Sequence, residues 1–420
     1  MRFVLPTIAL CAGCAKIDPE PDFPPASFTI TQEQDLGITV TGALYTMHFA
    51  GGDPGIHFPD QLRVNDSAST NVLGRALGCG GEQLVGLAMF PAFVTAPAIS
   101  QPPNDDLLTL PPNTNDLDFN SLSINSSGPH VVQISTTFTV DYNCTTGERF
   151  SGRSAFTFFP SGRIVRHDSD LRPSTNMLAA GGQTCGCGTA DTLLAFTSFW
   201  TFERGTPDGR MVQRGGAPLT FTAENADQPG PYDGLCMMYD DHAIGLSYAG
   251  MGISRARRNN PGGNLTGNFA SVFDFNFDDT LSPFVMGPNG EDEPYDITSA
   301  IQIVTDDGLA NSDCQAVLSG LAEPGMEVDG VVLNEADADG IYNDFVVHDD
   351  DFVVRATVGA LPPGWALRTV LASGAAKITR DPDLGRAPAL VQRESSDINQ
   401  FLFYFPDGLA VGETITIEPQ

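Results

Sequence analysis

Apolar and polar residues alternate along most of this chain, and Gly, Pro, Asn and Asp interrupt the alternation about every eight to twelve residues. The early runs are SFTITQEQ from Ser27, GITVTGALYTMHF from Gly37, QLRVND from Gln61 and EQLVGLAMF from Glu82. Period-two patterning in β-branched and aromatic residues predicts half-buried strands. Ala96 to Asn120, with paired prolines at 102–103 and 111–112, reads as a long polar loop. Three strand-like runs then follow between His130 and Asp170: HVVQISTTFTVDYN, RFSGRSAFTFFP and RIVRHDSD. Taking Ser161-Gly162 as a two-residue hairpin loop, Phe158 faces Val165 and Phe156 faces His167. That register puts Phe156, Phe158, Val165 and His167 on one face, and Thr157, Phe159, Ile164 and Arg166 on the other. His167 then sits on an apolar face, and Asp168 points away from it.

Strand patterns continue through Trp200, RMVQRG, LCMMYDDHAIGLSYAGMGI and NFASVFDFNFDD. A single short helical pattern covers Asn311 to Leu321, with Ser312 or Asn311 as its cap. Beyond it, five or six strands fill the last hundred or so residues, the inventory of a small immunoglobulin-like sandwich. The predicted fold class is therefore all-β. A large antiparallel β-sandwich spans 28–319, and a smaller Ig-like β-sandwich spans 320–420.

Composition narrows the setting. Of 420 residues, 41% are hydrophobic and 27 are Phe, which supports a packed core rather than disorder. The net charge is −31, from 52 acids against 21 Lys and Arg. Phosphate backbones need clustered cations, so nucleic acid is not an expected partner. The opening MRFVLPTIALCAGCA joins one basic residue to a short apolar stretch and small residues, the outline of an export signal. Its LCAGCA resembles a bacterial lipobox, with Cys11 where the family usually carries Leu. The resemblance implies an export signal over 1–14 and lipidation of Cys14. Residues 15–27 then form a Pro-rich acidic tether, the only attachment to membrane. The expected location is the outer membrane as a lipoprotein, or otherwise the periplasm or the extracellular space. Six further cysteines, Cys79, Cys144, Cys185, Cys187, Cys236 and Cys314, are an even set suited to disulfides in an exported chain, with their connectivity open.

Between Glu323 and Asp351 there are ten carboxylates and no Lys or Arg. Glu335, Asp337 and Asp339 alternate ahead of Gly340, with Asn343 and Asp344 following. Alternate oxygens before a glycine turn suit Ca²⁺, the one cofactor expected, and the run resembles the calcium loops of dockerins and thrombospondin-type repeats. A solvated acidic turn is the plainer alternative. Candidates for acid–base work are His167 and the group Tyr239, Asp240 and His242, the latter read as lying on an extended strand. Arg166, Arg255 and Arg258 are candidates for meeting an anionic ligand. His48 and His57 flank a Gly-Gly-Asp-Pro-Gly loop as a further possible metal pair. No G-x-S-x-G elbow, H-E-x-x-H, phosphate loop or dinucleotide fingerprint is present.

The succession GITVTGALYTMHF, HFPDQLRVN and FTFFPSGRIVRHD is similar in strand rhythm to the β-supersandwich of galactose-mutarotase-like and polysaccharide-lyase proteins. The resemblance implies a supersandwich for the larger unit and a carbohydrate setting. The leading expectation is an exported, non-catalytic protein that binds carbohydrate, calcium or another surface protein. The alternatives are a polysaccharide lyase or hydrolase using His, Tyr and carboxylates, and a structural surface component.

Overall fold

The computed structural model describes residues 27–305 with interruptions, chiefly 52–58, 78–82, 96–106, 110–116, 143–147, 174–191, 204–209, 220–226, 260–269, 276–284 and 287–294. It describes 309–420 almost without a break. Side chains are placed mainly in 27–73, 121–137, 152–170, 210–219, 232–249, 296–305 and 309–420. Within these residues the chain is almost entirely β.

A four-stranded antiparallel sheet opens the fold: β1 (Thr29–Gln32), β2 (Ile38–Thr41), β3 (Tyr45–Phe49) and β4 (Pro59–Val64). β5 (Arg75–Leu77) and β6 (Gln83–Val85) form a separate pair. A seven-stranded sheet contains β7 (Leu87–Thr95), β8 (Leu107–Thr109), β13 (Thr192–Glu203), β15 (Asp227–Tyr232), β18 (Ile253–Asn259), β19 (Ala270–Phe275) and β20 (Val285–Met286). The eight-stranded sheet runs in the order β14 (Arg210–Gln213), β16 (Leu235–Met238), β17 (His242–Tyr248), β21 (Tyr295–Thr305), β12 (Arg163–Pro173), β11 (Glu148–Phe158), β10 (Val132–Tyr142) and β9 (Leu117–Ser127). β8 and the start of β9 occupy part of the stretch expected to be a loop.

The helix α1 (Asn311–Leu321) falls where its pattern predicts, but Ala310 is the cap. Asp313 Oδ2 reaches back to accept from the Ala310 N–H at 2.5 Å, which satisfies one of the unpaired donors of the first turn. No helix among the described residues is long and apolar enough to cross a membrane. Two further sheets follow. One holds β22 (Met326–Val328), β23 (Val331–Leu333), β25 (Phe352–Ala356), β27 (Ala376–Asp381) and β30 (Thr414–Pro419). The other holds β24 (Tyr342–His348), β26 (Trp365–Leu371), β28 (Leu390–Ser395) and β29 (Gln400–Phe405). These nine strands exceed the five or six expected, and β24 pairs parallel to β26. Their own core includes Trp365, Tyr342, Phe352, Phe403 and Ile415.

The β11–β12 hairpin corrects the predicted register. The Phe159 N–H bonds to the Arg163 carbonyl at 3.0 Å, so Pro160, Ser161 and Gly162 form a three-residue loop. Gly162, at φ +89°, takes the left-handed position such a loop needs. Phe158 therefore pairs with Ile164, Phe156 with Arg166, and Ala155 with His167. A shift of one residue exchanges the faces of the strand. Phe156, Phe158, Ile164 and Arg166 point into the sandwich, where Phe49 meets Phe156 at 5.3 Å between ring centroids and Trp200 Nε1 donates to Ser299 Oγ at 2.9 Å. Arg163, Val165 and His167 point to the opposite, outer face.

The second sandwich packs on that outer face. Val131, Phe159 and Val165 share one buried cluster with Ile341, Ala366, Leu402 and Tyr404. Gln392 Oε1 accepts from the buried N–H groups of His130 (3.1 Å) and Val131 (2.9 Å), and its Nε2 donates to the Val131 carbonyl at 3.3 Å. Gly340, at φ +76°, brings its loop so close that a Cβ there would lie 2.6 Å from Val165 Cγ2. The Cys236–Cys314 disulfide ties β16 to α1, with Cα atoms 5.7 Å apart. Cys79, Cys144, Cys185 and Cys187, like Cys14 and residues 15–26 of the tether, lie outside the described residues.

Candidate functional site

Because the outer face of the eight-stranded sheet is turned away from the sandwich core, its alternate residues are polar. Cross-strand registers put Ser121, Ser123, Ser135, Thr137, Arg153, Thr157, His167 and Thr298 on this side. They bond to one another: Ser121 to Thr137 at 2.8 Å, Ser123 to Ser135 at 3.1 Å, and Arg153 Nη2 to Ser135 Oγ at 3.4 Å. Such side-chain ladders satisfy hydroxyls at a half-exposed sheet surface.

This face runs into a cleft of about 280 Å³ between the sheet, the end of α1 and the Asp337–Gly340 loop. Ser247, Thr298 and Ala300 form its floor, and Tyr248 lines it as well. Two cations, Arg163 and Arg214, and three acids, Asp233, Glu323 and Asp337, surround it. Arg163 leaves the end of β12, lays its guanidinium 3.5 Å from the Trp365 ring centroid and donates from Nη1 to the Gly340 carbonyl at 3.2 Å. Burial brings its pKa down to about 10, with Glu323 first among the groups that oppose the shift. Arg214 Nη2 donates to the Leu318 carbonyl at 2.9 Å; burial lowers its pKa and Asp233 offsets part of this. Glu323 lies at the mouth, exposed on one side. Burial of the rest lifts its carboxyl above the ordinary range; Arg163 opposes this and Glu335 adds to it. Such a cleft, with convergent polar groups and shifted ionisations, is where a small polar ligand would bind.

His167 stands beside this cleft, half-buried, with Nδ1 3.0 Å from Thr298 Oγ1. It is on the polar face, not the apolar one expected. Asp168 lies on the opposite face, fully buried; its Oδ1 accepts from Ser154 Oγ and, at 3.0 Å, from Arg166 Nε. Arg166, expected to meet an anionic ligand, is itself 0% exposed and points into the sandwich, away from the cleft. The ion pair is interior, and a buried charge persists only with such partners.

Tyr239 and Asp240 are not on an extended strand, and His242 is the first residue of β17. The Tyr239 N–H bonds to the His242 carbonyl at 2.9 Å, making Asp240 and Asp241 the tip of the β16–β17 hairpin. Tyr239 stacks on His242 at 4.2 Å between centroids, and His242 Nδ1 meets Asp241 Oδ1 at 2.5 Å. Burial lowers the His242 pKa against the pull of Asp241. His242 pairs with Thr305 and His167 with Thr298, so seven residues of β21, about 23 Å of strand, separate the two histidines. They form no common site. Arg255 and Arg258 lie on β18 in the other large sheet; their side chains are outside the described residues. His57 is outside them too, whereas His48 lies between Asp60 (2.5 Å) and Glu33 (3.3 Å).

Most of the expected calcium ligands are engaged by other side chains. Asp337 accepts from the Asn343 amide. Asp339 accepts from Gln133 Nε2 and Arg368 Nη2, both at 3.0 Å. Asp344 is held by His348 Nε2 at 2.6 Å, and Glu335 is exposed. Arg368 also bonds Glu394 at 2.6 Å; burial opposes its charge, yet Glu394 and Asp339 together hold its pKa above the ordinary value. Among the described residues no three His, Cys, Asp or Glu side chains converge as a metal requires. The loop's oxygens instead help join the two sandwiches. Sequence reasoning missed Arg163, Arg214, Glu323 and Thr298. The signal for Arg163 was the SG turn, which as a three-residue loop would have placed it on the outer face.

No protein-family model and no curated protein sequence matches the chain. Among solved structures it is similar to an alpha-mannosidase from Enterococcus faecalis V583, at 9% identity and TM-score 0.36, over 94% of this chain and 42% of that one. The chain thus spans less than half the length of that protein. A galactose mutarotase-like protein from Lactobacillus casei ATCC 334 is similar at 11% identity and TM-score 0.37, over 64% of this chain and 100% of that one. The heparan sulfate lyase HepC from Pedobacter heparinus is similar at 8% identity and TM-score 0.29, over 79% of this chain and 40% of that one. At these identities and scores nothing about activity transfers.

Proposed function

We propose that this chain is a carbohydrate-binding β-sandwich protein whose ligand occupies the cleft between the eight-stranded sheet and the second sandwich. The observation that carries the reading is the composition of that cleft. Hydroxyls of Ser247 and Thr298 form the floor, guanidinium groups and carboxylates form the walls, and a Ser/Thr-rich sheet face leads into it. Sugars present many hydroxyls, each of which both donates and accepts, and such a mixed wall can satisfy them. The balance of two arginines against three acids favours a neutral sugar over a polyanion. Export, with lipid on Cys14, belongs to the same reading; the Cys236–Cys314 bridge supports an oxidising compartment.

A second reading is catalysis in the same cleft. It is favoured by one observation: Glu323, raised above the ordinary carboxyl range, shares the cleft with a second carboxylate, Asp233. Paired carboxylates in different environments can divide acid and base roles. Calorimetry against a panel of neutral and acidic oligosaccharides tests binding. Asp233→Asn and Thr298→Val are expected to weaken any neutral-sugar affinity about tenfold, consistent with one lost hydrogen bond each. Affinity unchanged in both variants, or none for any sugar, would sink the proposal. Product formation that Glu323→Gln abolishes would establish the second reading.

A further inference from the structure

The two sheets of the second sandwich end, on one side, in β23 and β24, which lie against each other. Both present large apolar side chains to solvent. Val331 is 59% and Val332 47% exposed, while Phe345 is 85%, Val346 56% and Val347 58% exposed. Three consecutive exposed residues cannot arise from simple strand alternation. The cause is a bulge: Asn343 pairs with Arg368 and Val347 with Val370, so the residues between are looped away from β26. Asp344 turns inward onto His348 and the Val346 N–H, which leaves Phe345 outward. Edge strands are usually protected by charge, whereas here the edge itself is apolar.

Its border is the reverse. Asp329, Glu335, Asp349, Asp350 and Asp351 are all exposed, and no Lys or Arg occurs from Glu323 to Asp351. The nearest arginine in sequence, Arg355, is paired with Glu327 at 3.3 Å. We infer that this edge is a docking surface for a polypeptide segment of another protein that carries an apolar stripe flanked by Lys or Arg. The apolar centre supplies burial, with Phe345 as its aromatic anchor, and the acidic border selects the charge of the partner. A second copy of this chain would set acid border against acid border. Anionic lipid headgroups would be repelled in the same way.

The test uses the whole protein and two synthetic peptides that share one apolar core, one flanked by Lys and the other by Glu, followed by fluorescence anisotropy. The Lys-flanked peptide is expected to bind and to weaken as salt rises from about 50 to about 500 mM. It is also expected to lose roughly tenfold or more in Phe345→Ser. Because Phe345 is exposed, that variant keeps the fold, which its melting curve checks. The triple change Asp349→Asn, Asp350→Asn, Asp351→Asn should flatten the salt dependence. Three outcomes would overturn the inference: no binding of the Lys-flanked peptide, equal binding of both peptides, or binding that ignores Phe345→Ser. Sedimentation showing a dimer that Phe345→Ser dissociates would also overturn it, by assigning the edge to a second copy.

Discussion

Gln392→Ala tests how the two sandwiches are held together, and with them the cleft they share. Gln392 is 2% exposed and makes three hydrogen bonds to the backbone of His130 and Val131, themselves 1% and 0% exposed. Truncation removes the bonds and leaves two buried N–H donors and one carbonyl without a partner. Each orphaned donor costs about 1–3 kcal/mol, and the long 3.3 Å bond adds little, so the sum is roughly 2–6 kcal/mol. Water entering the vacated space would restore part of it, which makes about 3 kcal/mol the working value. The chain has only two tryptophans, Trp200 in the large sandwich and Trp365 in the second, both 0% exposed. Urea unfolding of Trp200→Phe and Trp365→Phe backgrounds therefore reads each sandwich separately by fluorescence. In the parent the two transitions should coincide; in Gln392→Ala the Trp365 signal should move to lower urea and separate. A loss below about 1 kcal/mol with the transitions still coincident would refute the account of the lock.

Three other outcomes follow from the same contacts. Gly340→Ala adds a Cβ that collides with Val165 at a positive φ, so it should cost about 2–4 kcal/mol by melting and open the cleft. Glu413 is held below its ordinary 4.5 chiefly by its hydrogen bond from Arg380 at 2.7 Å. Its contribution is thus present above that value and lost as pH falls through the lower folded one, so a Tm series from about pH 6 to about pH 3 should fall more steeply than in Glu413→Gln. Reduction of Cys236–Cys314, which closes a sequence separation of 78 residues, should lower stability by about 2–5 kcal/mol in denaturant titrations with and without reductant.

Local pattern in the sequence was enough to establish the all-β class and the helix at Asn311–Leu321. Alternation and helical periodicity are written in neighbouring residues, and they survive without knowledge of partners. The same pattern could not say which face of β12 is buried. That depended on whether the loop after Phe158 closes on two residues or three, and one residue moved Arg166 into the core and His167 out of it. Nor could it pair Cys236 with Cys314 or choose among the acids of the Glu335–Asp344 run. Asp339 is engaged by Gln133 and Arg368, contacts from two different sandwiches that only tertiary packing brings together. The cleft has the same origin. Arg163, Ser247, Thr298 and Glu323 are far apart in the chain, and they meet because the second sandwich packs on the outer face of the eight-stranded sheet. Short-range periodicity decides what each strand is; long-range packing decides what its polar residues can do.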